Sequence, residues 1–248
     1  MLKKKSTSRT IMALLLGAIL VGQPLLLGNA FAAGGDFSLD FTAAAPFTYD
    51  HTTGGGAFDD RTIGKNKDVV ESLEGGDFAC GDLVSFLTQI QVDAGATGTQ
   101  TIDLTYVWTA DTTGQSGVAL DEMKSATINY GVIAGGVGEG PGGTDAGIFN
   151  DDGGSAASIV ATDYTEVTFS KGAEHAATVR VTDLEPGENV VLRFELNLVC
   201  NGQKPTGNMQ ARLDSATVFA PVSDDISSGD QTIPFKQVGA IKPPPPPK

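Results

Sequence analysis

The sequence predicts an all-β protein, an antiparallel β-sandwich of the Ig-like or jelly-roll type, built as a single large domain with long Gly-rich loops. Two observations carry this prediction. Apolar and polar residues alternate with period two in most segments, which is the pattern of half-buried strands. Gly-rich turns separate the segments, and only residues 67–73 (KDVVESL) are compatible with a helix, of one or two turns. Many short strands with few helices indicate a sandwich.

The N-terminal 32 residues have the three parts of a secretory signal peptide. MLKKKSTSR is basic, the stretch that follows is apolar, and Ala30-Phe31-Ala32 supplies the small-residue cleavage pattern. We therefore predict a cleaved signal peptide over residues 1–32. The alternative is an uncleaved membrane anchor, although Gln23 and Pro24 interrupt the apolar run. Cleavage predicts a secreted protein, either extracellular or at the cell surface.

Strands are predicted in order along the mature chain wherever the alternation is clear. Val84, Phe86, Ile90 and Val92 share one parity in the segment that begins at Cys80. Pro234 marks its segment as an edge strand, because proline cannot donate to a ladder. The remaining candidates are DFSLDF (36–41), QTIDLTYVWTA (100–110), ATINYGV (126–132), YTEVTFS (164–170), ARLDSATVFA (211–220) and QTIPF (231–235).

The longest regular strand follows a turn. In Glu185-Pro186-Gly187-Glu188, proline presets φ at the second position and glycine accepts a positive φ at the third, which predicts a type II turn. Alternating residues run from Val190 to Cys200 after the turn and from Ala177 to Val181 before it. We therefore predict that these two strands pair as an antiparallel hairpin.

The mature chain contains two cysteines, Cys80 and Cys200, and both have the parity of the buried face of their strands. In an exported protein this predicts a disulfide through the core. The alternative is two reduced core cysteines, since a free cysteine packs as a small hydrophobe. Closing a loop of more than a hundred residues would stabilise the fold by about 4–5 kcal/mol on the chain-entropy model.

Two loops and the C-terminus depart from the strand pattern. Residues 49–68 are polar, and residues 135–155 are rich in glycine and acidic side chains without a basic residue. The chain ends in IKPPPPPK, a polyproline II spacer. We predict a sandwich domain over residues 33–222 and a C-terminal extension over residues 223–248, which contains the edge strand and the spacer.

Three segments resemble parts of secreted bacterial surface and adhesin-like proteins. VRVTDLEPGENVVLRFELNLVC is similar to the turn and strand of their Ig-like conserved-repeat domains. NMQARLDSATVFAPVSDDISSGDQTIPFKQVG and YDHTTGGGAFDDRTIGKNKD also resemble segments of such proteins. The resemblance implies a structural or adhesive module without catalytic residues. This chain differs in being one large unit instead of a run of smaller repeats.

The charge of the chain excludes some partners. The formal net charge is −14, and the signal segment carries four basic residues and no acidic one, so the mature part is near −18. Nucleic acid is excluded as a partner, because phosphate binding needs a basic face. No membrane contact is expected after signal cleavage, since anionic lipid surfaces repel an acidic protein. Other surface proteins and envelope glycans are the partners that fit.

No catalytic constellation emerges. His51 and His175 lie in polar segments and are expected to be solvated loop histidines. No G-x-S-x-G nucleophile elbow is present, and two scattered histidines do not make a zinc site. We expect neither catalytic nor cofactor-binding residues. A sandwich-fold hydrolase with paired carboxylates stays as a remote alternative.

Calcium is the one metal for which candidates exist. Asp145, Asp151 and Asp152 lie in the acidic Gly-rich loop, where carboxylates and carbonyls could supply hard oxygen ligands. Asp59 and Asp60 form a second pair. Neither set has EF-hand spacing. The plainer hypothesis, which we favour, is a solvated acidic loop without an ion.

The sequence therefore predicts an exported, non-catalytic structural or adhesive module. A calcium- or glycan-binding module is the alternative. No cysteine follows the signal segment for lipid attachment, and no L-P-x-T-G motif appears near the C-terminus. We expect release from the cell, or attachment through whatever follows the proline segment.

Overall fold

A computed structural model describes residues 36–46, 69–111, 117–128, 154–164, 172–202, 207–219, 224–228 and 231–243. Within these ranges the protein is built from strands, two short 3₁₀ turns and connecting loops, as the sequence predicts. The 3₁₀ turns are Gly75–Asp77 and Val238–Ala240. The strands are β1 (Phe37–Ala44), β2 (Val69–Val70), β3 (Leu73–Glu74), β4 (Leu83–Val92), β5 (Gln100–Thr109), β6 (Val118–Leu120), β7 (Ala126–Ile128), β8 (Ala156–Asp163), β9 (Glu174–Leu184), β10 (Asn189–Cys200), β11 (Met209–Val218), β12 (Asp224–Asp225) and β13 (Gln231–Lys236).

The strands form two sheets that face each other. The first sheet has the order β2-β1-β4-β10-β6, and β7 pairs with β10 beside β6. The second has the order β3-β13-β11-β5-β9-β8, and β12 pairs with β11. All ladders between the described strands are antiparallel except the short one between β13 and β3. The predicted antiparallel sandwich is thereby confirmed.

The core lies between the sheets and is centred on aromatic rings. Phe86 and Phe194, on adjacent strands of the first sheet, stack with their ring centroids 5.4 Å apart, and Tyr106 of the second sheet lies 4.7 Å from Phe194. The Tyr106 hydroxyl is 2.6 Å from the Thr88 hydroxyl of the first sheet, so one buried hydrogen bond joins the two sheets. Burial raises the pKa of Tyr106 above its usual value, which keeps the hydroxyl protonated.

The predicted hairpin between the strands on either side of the Glu185–Glu188 turn is wrong. The turn itself forms: the Glu188 amide donates to the Glu185 carbonyl at 3.0 Å, and Gly187 has φ of +83°. However, β9 pairs with β5 and β8, whereas β10 pairs with β4, β6 and β7. The turn thus carries the chain from one sheet to the other, so that the apolar sides of the two strands face the same core instead of lying side by side.

The helix predicted over residues 67–73 is also wrong in its described part. Val69 and Val70 pair with the end of β1 in the first sheet, and Leu73 and Glu74 pair with β13 in the second. A helix of two turns is marginal on its own. Burial of Val69 and Leu73 in the core, and ladder bonds to both sheets, override the weak local preference.

The structured part continues past residue 222, where the sequence places the end of the sandwich. β13 lies between β11 and β3, and Ile233, Phe235, Val238 and Ile241 are all buried in the same core as the other strands. Pro234 is accommodated because β3 pairs only with Phe235 and Lys236, on the side away from β11.

Candidate functional site

The predicted disulfide is present. Cys80 and Cys200 are bonded, with their Cα atoms 5.8 Å apart and a sequence separation of 120 residues. Cys200 is the last residue of β10, as expected. Cys80 lies in the turn that precedes β4 instead of at the start of the strand, and both residues are half-buried at one end of the sandwich. We call this end the disulfide end, and the opposite end, which contains the Glu185–Glu188 turn, the turn end.

The prediction that His175 is a solvated loop residue is wrong. His175 is the second residue of β9 and is 1% exposed. Its ring meets the Tyr164 and Trp108 rings edge-on, at centroid distances of 5.2 Å and 6.0 Å. Burial lowers the pKa of His175, against the opposing influence of the nearby Glu122 and Asp121 carboxylates. A neutral histidine enclosed by rings is a packing residue.

The remaining predicted site residues lie outside the described part of the chain: His51, Asp59, Asp60 and the calcium candidates Asp145, Asp151 and Asp152. Calcium binding there stays a prediction. In the ranges that the structure describes, no group of three or more His, Cys, Asp or Glu side chains could hold a metal ion. The described residues likewise include no helix long and apolar enough to cross a membrane.

Two surface cavities contain carboxylates. One, of about 230 Å³, is lined by Asp111, Glu174 and neighbouring residues near the start of β9. Glu174 receives both arms of the Arg212 guanidinium, at 2.8 Å and 3.2 Å, so its charge is balanced. The other, of about 400 Å³, lies at the disulfide end between Pro46, Asp82 and Leu83. Among the described residues that line them, neither cavity contains a serine, threonine or cysteine nucleophile beside a histidine, which acyl-transfer chemistry would need.

Phe219, at the end of β11, is the one aromatic side chain among the described residues that is exposed. The Arg180 guanidinium lies 3.3 Å from the ring centroid, and Asp103 holds the same guanidinium through two hydrogen bonds of 2.8 Å. One face of the ring is therefore already occupied by the guanidinium.

The sheet edges differ from one another in length. In the described part of the chain, β2, β3, β6 and β7 each have only two or three residues, and short edge strands limit pairing with other chains. The uncovered edge of β1 is closed in another way. The Gln231 side chain donates to the Leu39 carbonyl at 2.8 Å and accepts from the Phe41 amide at 2.5 Å, in place of a partner strand.

β8 is the exception, and we call it the open edge (Ala156–Asp163). It has eight residues, pairs only with β9 among the described strands, and is exposed along most of its length. β7 runs close beside it without forming a ladder. Val160 lies in a bulge and is 44% exposed, which makes it one of three large apolar residues on the described surface that are exposed to this degree.

This strand was not predicted from the sequence. Residues 156–162 (AASIVAT) are uncharged and contain three β-branched residues, which is a usable strand signal. The alternation is too short to stand out: Ala157 and Ile159 are half-buried and pack against the core, whereas the strand is exposed from Val160 onward. The edge position of β8 follows from pairing with β9 and not from its own pattern.

Comparison with known proteins adds little beyond the fold. No family model matches the chain, and no curated protein matches it. Among solved structures it is similar to a cohesin module from a Clostridium perfringens ATCC13124 family 33 glycoside hydrolase, at 14% identity and a TM-score of 0.33, over 71% of this chain and 94% of that one. A similarity this low carries no argument about function, which therefore rests on the site geometry.

Proposed function

We propose that this chain is an exported, non-catalytic structural or adhesive module that works at the cell surface or outside the cell. The observation that carries the proposal is the open edge. β8 presents a row of backbone donors and acceptors that no described strand pairs, beside an exposed Val160. An uncovered edge strand recruits a strand from another chain, because main-chain hydrogen bonds supply affinity without a dedicated pocket.

Export is supported by the disulfide and by the N-terminal segment. Disulfides persist in oxidising compartments, and Cys80–Cys200 closes a loop that spans 120 residues. The resemblance of residues 179–200 to Ig-like conserved-repeat domains of bacterial surface proteins points the same way. The acidity of the chain suits a soluble domain in an extracellular medium.

The partner that best fits the open edge is the β8 strand of a second copy. The stretch from Gly154 to Thr162 carries no charge, although the chain as a whole is strongly acidic. In an antiparallel two-fold pair, the two Asp163 side chains lie at opposite ends of the contact, about 20 Å apart at 3.3 Å per residue. That distance exceeds the screening length at physiological salt, about 8 Å. A parallel pair would instead place the two carboxylates side by side.

The contact would be small, and the bulge at Val160, near the middle of β8, interrupts regular pairing at that point. A contact of this size is weak between free molecules. It becomes effective when many copies are held on one surface, because tethering raises the effective concentration. The proposed module therefore works as an array and not as an isolated soluble protein.

The test is clustering of beads coated with the oxidised chain. Val160→Glu places two like charges near the centre of the two-fold contact, and we expect it to abolish clustering. Leu83→Glu is the matched control, because this substitution changes the net charge by the same amount. Leu83 is 42% exposed and lies at the disulfide end, away from the proposed contact.

Clustering by wild-type and Leu83→Glu beads but not by Val160→Glu beads supports the proposal. Wild-type beads that stay dispersed, or Val160→Glu beads that cluster like wild type, overturn it. Wild-type beads that cluster only after addition of a surface extract would assign the edge to a different partner and would overturn pairing between copies.

A further inference from the structure

The last described residues of the chain, 241–243, lie at the disulfide end, where Lys242 is hydrogen-bonded to the loop that carries Cys80. The Cys80 amide donates to the Lys242 carbonyl at 2.9 Å, and the Lys242 amide donates to the Phe78 carbonyl at 3.0 Å. These two bonds make an isolated parallel bridge between Ala79 and Lys242. We call residues 75–82 together with Lys242 the clip.

The clip is packed as well as hydrogen-bonded. The Phe78 ring lies 5.0 Å from the Phe235 ring of β13, and both rings are buried. Gly75 touches the backbone of Gln237 so closely that a Cβ atom at Gly75 would lie 2.3 Å from the Gln237 carbonyl oxygen. Asp82 closes the loop by accepting from the Ala79 amide at 2.7 Å.

The clip is joined to β10, an interior strand of the first sheet, by three links at two of its residues, Leu198 and Cys200. Cys80 is bonded covalently to Cys200. The Gly81 amide donates to the Leu198 carbonyl at 2.7 Å, and the Leu198 amide donates to the Asp82 carbonyl at 2.9 Å. β10 in turn pairs with β4 from Asn189 to Asn197 and with β6 and β7 on its other side, so it is bound along both edges.

From this connectivity we propose that the clip transmits force: tension applied beyond Lys242 passes through Lys242 and the disulfide into β10. This inference rests on the proposed structural or adhesive function, in which copies paired at β8 are held at another point of the chain. β13 runs towards the disulfide end, as its pairing of Phe235 with Met209 shows, so tension beyond Lys242 acts along the strand. Ladder bonds loaded along the strand share the force instead of breaking one at a time.

The disulfide has a specific part in this arrangement. Without it, the loop from Gly75 to Asp82 could peel from β10 when Lys242 is pulled, because only backbone hydrogen bonds would hold it. With it, the loop cannot separate from Cys200, and the residues between Cys80 and Cys200 cannot extend. The Cys80–Cys200 bond therefore protects the attachment point and shields most of the sandwich from extension.

Single-molecule pulling on the oxidised mature chain, with handles at its two ends, tests the inference. The first rupture should lengthen the chain by about 27 nm at 3.5 Å per residue, since residues 80–200 stay closed. Asp82→Ala removes the side-chain bond that closes the clip. Ile102→Val is the control, because Ile102 is fully buried near the turn end and its truncation weakens the fold away from the clip.

Before pulling, urea titration measures the free energy of unfolding of Asp82→Ala and of Ile102→Val. If Ile102→Val loses less stability than Asp82→Ala, Val179→Ala replaces it as the matched control. We expect the first-rupture force to fall in Asp82→Ala by clearly more than in the matched control, and to fall furthest in the Cys80→Ser/Cys200→Ser double variant. Equal forces in Asp82→Ala and the matched control overturn the load path. Because bead clustering does not depend on Asp82, failure here leaves the proposed function standing, and failure of clustering leaves these forces unchanged.

Discussion

Single residues show how burial, and not residue type, decides the role of a polar side chain. His175 and Thr88 are polar and lie inside the sandwich, where each has a specific neighbour: aromatic rings for His175 and the Tyr106 hydroxyl for Thr88. Asp183 has a positive φ of 63°, which is uncommon outside glycine, and it lies opposite Thr101 in a bulge between β9 and β5. These positions are set by packing between strands that are far apart in sequence.

At this scale we predict a pH dependence that originates in His175. Its pKa is lowered in the folded state, so the unfolded chain binds the proton more strongly. The contribution of His175 to the free energy of unfolding is therefore fully present above its unfolded-state pKa of about 6.5. It is lost as the pH falls towards the folded-state pKa, at no more than about 1.4 kcal/mol per pH unit. Urea unfolding at several pH values between 8 and 5 measures this slope.

The control for this prediction is His175→Phe, which keeps a ring between Tyr164 and Trp108 but cannot be protonated. The variant should lose the part of the slope that lies just below pH 6.5 and keep the part below pH 5, where carboxylates titrate. An identical slope in both proteins would show that groups other than His175 cause the dependence.

At the scale of elements, the edges of the sheets explain how the sandwich avoids unwanted pairing and where it permits it. Short strands close three edges, and the Gln231 side chain closes part of β1 in place of a strand. The Gln231 amide group also donates to the Ser228 carbonyl at 2.7 Å, which holds the side chain in position. No described residue covers β8 in this way, and this contrast is the basis of the proposed function.

We predict that Gln231→Ala lowers the free energy of unfolding by about 1–3 kcal/mol, because the Phe41 amide and the Leu39 carbonyl lose their partner in a partly buried position. Chemical unfolding in urea measures the change. Gln91→Ala is the matched control, since Gln91 is also a half-buried glutamine on a strand. Equal losses in the two variants would show that the amide bonds of Gln231 contribute nothing beyond packing.

On the scale of the whole molecule, β1 enters at the turn end and the C-terminal segment leaves at the disulfide end. The Asp93 amide donates to the Asp36 carbonyl at one end, and Cys80 contacts Lys242 at the other. The length of β4, ten residues, separates these points by about 30 Å. The first and last described residues of the chain therefore lie at opposite ends of the sandwich, and the open edge of β8 runs lengthwise between these ends.

For the intact protein we predict export with loss of residues 1–32 and with no free thiol. Expression of the full chain in an exporting bacterium, followed by intact-mass measurement of the released protein under denaturing, non-reducing conditions, checks both. Two alkylatable cysteines would contradict the disulfide, and a retained N-terminus would contradict cleavage.

The double variant Cys80→Ser/Cys200→Ser should have a free energy of unfolding lower by up to about 4–5 kcal/mol, which is the loop-closure entropy of a loop of this length. Urea titration of the variant and the oxidised wild type measures the difference.

The sequence by itself determined the strands whose two faces differ. In β1, β5 and β10, alternation of apolar and polar residues identifies both the strand and its buried side, because a half-buried strand has no other stable pattern. The same parity placed Cys200 on the inner side of β10, and Pro186-Gly187 specified the turn, because these residues restrict φ locally. Local chemistry was sufficient for each of these features.

Only the tertiary structure decided which strands pair and which edges stay open. Alternation indicates that β9 and β10 each have an apolar side. That pattern fits two strands paired in a hairpin and equally two strands in opposite sheets whose apolar sides face each other across the core. Burial of both strands in the assembled core selects the second arrangement. His175, Val69 and Leu73 acquired their positions in the same way, from strands that are distant in sequence. The open edge of β8 exists because nothing described pairs beyond it, and pairing between strands is a property of the assembled sheet that no single segment encodes.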